Sequence, residues 1–117
     1  TALADSIWQS GPKTSMVHPR GDDIGWENIR QHFYIDRLQK LYTERHFEFR
    51  DLEIEVYRDT AIAMYTWDFH GKLRSDGTEI EHKGRTSQTY RRTSQEGWKI
   101  LHAHISGMPI TNERQQI

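Results

Sequence analysis

Cysteine is absent from this 117-residue chain, which removes disulfides, thiol catalysis and zinc sites built on thiolate in one step. The absence fits a reducing compartment. No charge of one sign dominates either: sixteen Lys and Arg stand against seventeen Asp and Glu, a formal charge of -1. With Arg91-Arg92 as its only local basic run, the chain lacks the electrostatic footprint of a nucleic-acid binder. Apolar runs fall far short of the roughly 20 residues that span a bilayer, and no signal-peptide pattern opens the sequence. These absences predict a soluble, cytoplasmic protein with neither a membrane nor a nucleic acid as partner.

Hydrophobic residues are also scarce, at 34% against 28% charged. The core is therefore expected to be small, with oligomer contacts supplementing it. The length predicts one domain over residues 1–117, with no room within it for a second catalytic one. What is present in quantity is aromatic: four Trp, five Tyr and four Phe, far more than a solvated, disordered tail carries.

Along the chain, Leu3, Ile7 and Trp8 have helical spacing and Gly11-Pro12 stops them. A short extended piece, Thr14 to Val17, leads into the turn-rich loop His18-Pro19-Arg20-Gly21-Asp22-Asp23. Trp26, Ile29 and Phe33 then mark an amphipathic helix from Trp26 to about Lys40, with Asp23 as its expected N-cap. After it the period changes to two. Phe47 and Phe49, then Leu52, Ile54 and Val56, alternate with charges, and the slip between Phe49 and Leu52 predicts a β-bulge near Arg50-Asp51. Ala61 to Lys72 reads as a long strand, and Asp76-Gly77 suits a two-residue hairpin loop.

That loop predicts paired residues whose numbers sum to 153: Asp68 faces Arg85, Trp67 faces Thr86 and Tyr65 faces Gln88. A last hairpin through Thr93 to Gly97 then sets Gln88 opposite His102 and Tyr90 opposite Ile100. One face so derived carries Tyr65, Trp67, Gln88, Tyr90, His102 and His104. The other is flatter, with Met64, Asp68, Arg85 and Ala103, and suits packing on another sheet. The pair His102 and His104, two residues apart on one strand, can line a pocket, hold a metal or sit in a polar interior. No third ligand is fixed beside it, so no metal is expected and pocket lining is favoured. Tyr65 and Trp67 read as pocket wall or as core. Arg85 reads as a structural ion pair with Asp68 or, after a slip of one residue, as an anion-binding pocket group.

Gly84-Arg85-Thr86, Tyr90-Arg91-Arg92 and Gly97-Trp98 running to His102, His104 and Ser106, together with the approach from His18-Pro19 through Gly25-Trp26 to Ile29, carry a resemblance. The chain resembles the nuclear transport factor two-like superfamily, closest to its SnoaL-like group and to the association (hub) domain of calmodulin-dependent protein kinase type two. The resemblance implies an α+β cone: a curved antiparallel sheet of about four long strands wraps around N-terminal helices, with a pocket between them and pairing through the outer sheet face. Only Ala2 to Ser10 precedes the Gly11-Pro12 stop, so the long first helix that the resemblance implies is expected to be missing or shortened here, or its cavity covered by a neighbour.

Three functions stay open. The favoured one is a cofactor-free, small-molecule-binding domain that forms a homodimer or higher homo-oligomer. The second is an isomerase, lyase or hydrolase acting on a hydrophobic carbonyl compound with His102 or His104 as general base. The third is a pure assembly module. A carboxylate in the cavity discriminates between them, and on this register the last three strands direct none inward.

Overall fold

The computed structural model describes residues 2–108, so residue 1 and residues 109–117 of the expected domain lie outside the described residues. Two helices and six strands run in the order α1 (Ala2–Ile7), β1 (Ser15–His18), β2 (Gly21–Ile24), α2 (Trp26–Ile29), a π-helical extension of α2 (Arg30–Gln39), β3 (Tyr42–Tyr57), β4 (Thr60–Leu73), β5 (Glu79–Thr93) and β6 (Gly97–Gly107). All six strands form one sheet in the order β2-β1-β6-β5-β4-β3. Every pairing is antiparallel except β1 with β6. This is the expected α+β arrangement, an open curved sheet whose four long strands are joined by two short ones.

The helices pack on the β1–β6 half of the sheet, and the core lies there. Trp8, Met16, Trp26, Ile29, Ile100 and Ala103 are buried together, with Phe33, Tyr34, Tyr90 and Ile105 packed against them. Trp8 and Trp26 stack at 5.8 Å between ring centroids. The expected helix from Trp26 to Lys40 forms, but beyond Ile29 its hydrogen bonds widen to the i to i+5 pattern, as in Lys40 N–H to Ile35 O at 2.8 Å. Asp23 is not its N-cap. Gly25 holds that position without a side-chain cap, since the Asp23 carboxylate is engaged elsewhere. At the other end two arginines serve the orphan carbonyls: Arg74 Nε donates to Lys40 O at 3.2 Å, and Arg45 Nη1 to Leu38 O at 2.8 Å. Cations at a helix C-terminus also favour its dipole.

Arg74 explains the first departure from the expected register. The β4–β5 loop has four residues, not two: Leu73 N–H bonds Thr78 O at 2.9 Å, Gly77 takes φ 75°, and Arg74 is freed to reach the helix end. Tyr65 therefore pairs with Thr86, Thr66 with Arg85 and Asp68 with Lys83. A shift of two residues keeps every side chain on its predicted face. It does dissolve the expected Asp68–Arg85 pair: Asp68 instead bonds Arg50 across β3–β4, and Arg85 stands exposed on the outer face. The bulge near Arg50-Asp51 is present, with Asp51 at φ 57°.

The second departure is larger in effect. Tyr90 pairs with Ile100 as expected, but a bulge follows, so Thr89 pairs with His102, Gln88 with Ala103 and Ser87 with His104. Leu101 is the extra residue. It turns Ala103 and Ile105 inward, and with them the buried Met16 of β1, which pairs with Ala103. His102 and His104 turn outward. Burying methyl and thioether groups there is favourable, whereas two imidazoles without partners would be costly to desolvate.

Candidate functional site

The inner face of the sheet divides into the core under the helices and an aromatic wall beyond them. Phe47 and Phe49 on β3 pair with Phe69 and Trp67 on β4, and the rings touch in sequence: Phe47 to Phe69 at 4.8 Å, Phe49 to Tyr65 at 5.4 Å and Tyr42 to Phe69 at 4.9 Å. Described neighbours leave the outer part of this wall open, with Phe49 63%, Ile54 58% and Val56 59% exposed. Gly84 makes the wall possible at its β5 side. A Cβ there would overlap the Trp67 indole and the Ser106 carbonyl, so only glycine lets the indole lie flat across the strand.

A polar chain runs along the foot of the wall. The Tyr90 hydroxyl donates to Gln88 Oε1 at 2.6 Å, Gln88 Nε2 donates to the Tyr65 hydroxyl at 3.1 Å, and Trp67 Nε1 donates to Thr86 Oγ1 at 3.0 Å. Strand alternation puts all five side chains on one face. Burial pushes the Tyr65 and Tyr90 hydroxyls above the ordinary tyrosine value. Tyr34, deeper in, is pushed up to about 12 by burial, although Trp8 Nε1 donates to its oxygen at 2.7 Å. These groups stay neutral near pH 7 and offer hydrogen bonds without charge. Four of the predicted pocket residues, Tyr65, Trp67, Gln88 and Tyr90, thus share the inner face.

The other three do not. Arg85, His102 and His104 lie on the outer face, where the Ser15 hydroxyl and His102 Nδ1 are 2.8 Å apart and His104 is exposed beside Val17. Neither histidine faces the polar chain.

A carboxylate with histidines does occur, at the β2 edge of the sheet, the opposite edge from the aromatic wall. Asp23 Oδ2 lies 3.0 Å from His18 Nε2, and Asp23 Oδ1 lies 2.6 Å from His32 Nδ1. The β1–β2 hairpin turns on Pro19-Arg20 and pairs Met16 with Asp23, so Asp23 shares the inward side of the buried Met16, and His18, two residues on, does too. The His18 ring sits 5.9 Å from Phe33. A signal was available: proline at the first loop position presets its φ and favours a two-residue turn at Pro19-Arg20. Burial pushes the Asp23 carboxyl up, but hydrogen bonds from His32 and His18 and their charge outweigh it, leaving it below the ordinary value. The same hydrogen bond and charge raise His32. His18 Nδ1 accepts the Arg20 N–H at 3.3 Å, so both of its nitrogens are occupied, whereas His32 Nε2 has no partner among the described residues. Among those residues no three ligand-type side chains gather as a metal site.

The model of the SnoaL-like domain family matches residues 2–111. The chain belongs to that family. A nuclear transport factor 2-like superfamily protein from Salmonella enterica shares the fold at 31% identity and TM-score 0.95, over 99% of this chain and 82% of that one. A hexachlorocyclohexane dehydrochlorinase, LinA type 2, is similar at 18% identity and TM-score 0.73, over 96% of this chain and 76% of its own. The calmodulin-dependent kinase (CaMKII) hub of S. rosetta is similar at 19% identity and TM-score 0.69, over 92% and 86%. These last two likenesses concern the fold alone. No curated protein matches. The SnoaL-like assignment agrees with the open, curved six-stranded sheet of this chain. No described helix is long and apolar enough to cross a membrane.

Proposed function

We propose that this SnoaL-like chain binds a small, flat, largely apolar molecule on the inner face of its sheet, stacked on the aromatic wall and hydrogen-bonded by the neutral foot. The observation that carries the reading is the Tyr90–Gln88–Tyr65 chain, whose Tyr65 ring meets the exposed Phe49 ring at 5.4 Å. Apolar walls with a few convergent polar groups are the usual makeup of such sites. The foot selects a ligand with a hydroxyl or carbonyl oxygen and disfavours a charged one. Aromatic phenols and ketones are the probes to screen by thermal shift. A ligand at about 100 times its Kd stabilises by about 2.7 kcal/mol. Gln88→Leu is expected to weaken a hit about fivefold, in line with the roughly 1 kcal/mol of a net hydrogen bond, and His104→Ala to leave it unchanged. Hits that ignore Gln88→Leu yet fall with His104→Ala would place binding on the outer face and end this reading.

A second reading is favoured by Asp23. A carboxylate that orients Nδ1–H and leaves Nε2 free is the arrangement of a general base, and the dehydrochlorinase among the similar folds performs an elimination by name. On this reading His32 accepts the proton, and His32→Ala would abolish turnover of a bound probe while leaving its Kd intact. Self-association through the outer face, where Ile62 and Met64 are exposed, is consistent with the hub likeness. Static light scattering that returns a monomer at micromolar concentration would contradict it.

A further inference from the structure

On the outer face of the sheet, away from the aromatic wall, His46 of β3 and His70 of β4 are directly opposed. Cross-strand partners hold their Cβ atoms about 5 Å apart, and imidazole nitrogens bind a divalent transition metal at about 2.0–2.1 Å. Two rings so rooted can close on one ion without moving the backbone. We propose that His46 and His70 form a two-imidazole site for a divalent transition-metal ion of the Cu2+, Ni2+ or Zn2+ type.

Three observations point the same way. Glu81 pairs with His70 across β4–β5, and its Oε1 lies 3.1 Å from His70 Nδ1. A carboxylate on one ring nitrogen fixes the tautomer and leaves the other lone pair free for a metal. His46 is only loosely held, with Nε2 at 3.5 Å from Glu48 Oε1, and both rings are well exposed. Finally, the two histidines line a surface hollow of about 490 Å³ whose other charged walls are Glu44, Glu79, Glu81, Arg45 and Lys72. Three carboxylates against two cations leave the hollow slightly acidic, and Arg45 is drawn off to the Leu38 carbonyl. Because no third side chain is already gathered at the point, water completes the coordination. The site should therefore rank metals by intrinsic affinity, Cu2+ above Ni2+ and Zn2+, and ignore Mg2+.

The outer face also carries His102 and His104, two residues apart on β6, which makes the test discriminating. The tag-free chain is titrated with NiCl2 and CuCl2 by calorimetry, beside His46→Ala, His70→Ala, Glu81→Gln and the double variant His102→Ala/His104→Ala. Expected are one bound ion per chain, loss of binding in either single histidine variant, and about a tenfold weakening in Glu81→Gln, the lower end for a lost outer-sphere carboxylate. The double variant should bind as the parent does. Both histidines are exposed, so circular dichroism should show their variants folded. Undiminished binding in His46→Ala and His70→Ala, loss of binding in the double variant alone, or no binding by the parent would each overturn the assignment.

Discussion

Replacing Gly84 by alanine adds one methyl group at the point where three strands and an indole meet. The new Cβ would stand 2.8 Å from Trp67 Cε2, closer still to Cζ2, and against the Ser106 carbonyl of β6. The half-buried indole can tilt away, but the carbonyl belongs to the β5–β6 ladder, where Arg85 pairs with Ser106. Overpacking of this kind costs about 1–3 kcal/mol, and the upper half of that range is expected because backbone must shift. At about 2.1 cal/mol/K per residue, unfolding entropy for such a chain is about 0.25 kcal/mol/K, so Tm should fall by about 8–12 °C. Differential scanning calorimetry with and without Trp67→Phe divides the cost. The smaller ring should recover part of the loss, appearing as a favourable coupling in the double-mutant cycle, while the share from Ser106 persists. A Tm within 2 °C of the parent, or a Trp67→Phe background that recovers nothing, would refute the claim that glycine seats the indole.

Three further outcomes follow from the same structure, beside the metal titration above. His32 titrates above its ordinary 6.5 and Asp23 below its ordinary 3.8. A raised histidine stabilises below its unfolded pKa and loses this as pH rises through the folded value, and a lowered carboxyl loses its share as pH falls through its own. The Tm gap between parent and His32→Ala should therefore be widest near pH 5 and close above neutrality; a gap independent of pH would mean packing, not charge. Arg74→Ala should cost about 1–2 kcal/mol in urea unfolding, by leaving the carbonyls of Gln39, Lys40 and Tyr42 without their donor; a loss under 0.3 kcal/mol would show those carbonyls well served by water. Ile29→Ala, at a fully buried position, should cost about 2–5 kcal/mol in the same assay; a change below 1 kcal/mol would mean the core collapses around the void.

Element types were largely legible because period two and period 3.6 are strong signals in a chain this polar. Phe47 to Val56 announced a strand and its bulge, since a one-residue phase slip leaves two runs of alternation out of step. The widened helix was invisible: Trp26, Ile29 and Phe33 fit either winding. The loop at Asp76-Gly77 was correctly placed and wrongly sized. Asp-Gly favours a positive φ at Gly77 in both a two- and a four-residue loop, and the choice fell to Arg74, whose partners are more than thirty positions away. The inner face was half legible. Tyr65, Trp67, Gln88 and Tyr90 survived because a shift by two preserves parity, while His102 and His104 lay beyond Leu101, where parity changes. Nothing in Lys99-Ile100-Leu101-His102 marks a bulge, because the preference for Ala103 over His102 inside is set by Met16 on a neighbouring strand. The Asp23 cluster was hidden for a different reason: the run from His18 to Asp23 has the composition of a loop, which masks the tight hairpin that pairs Met16 with Asp23.

The extra residue at Leu101 bears on how relatives of this chain are to be compared. Two family members can carry the same His-x-His at the same aligned positions and yet present it to opposite sides of the sheet, if one has the insertion and the other lacks it. Inheritance of the motif is then no guide to inheritance of its surroundings. A lineage can exchange the chemistry of its interior by gaining or losing one residue, with no substitution at either histidine.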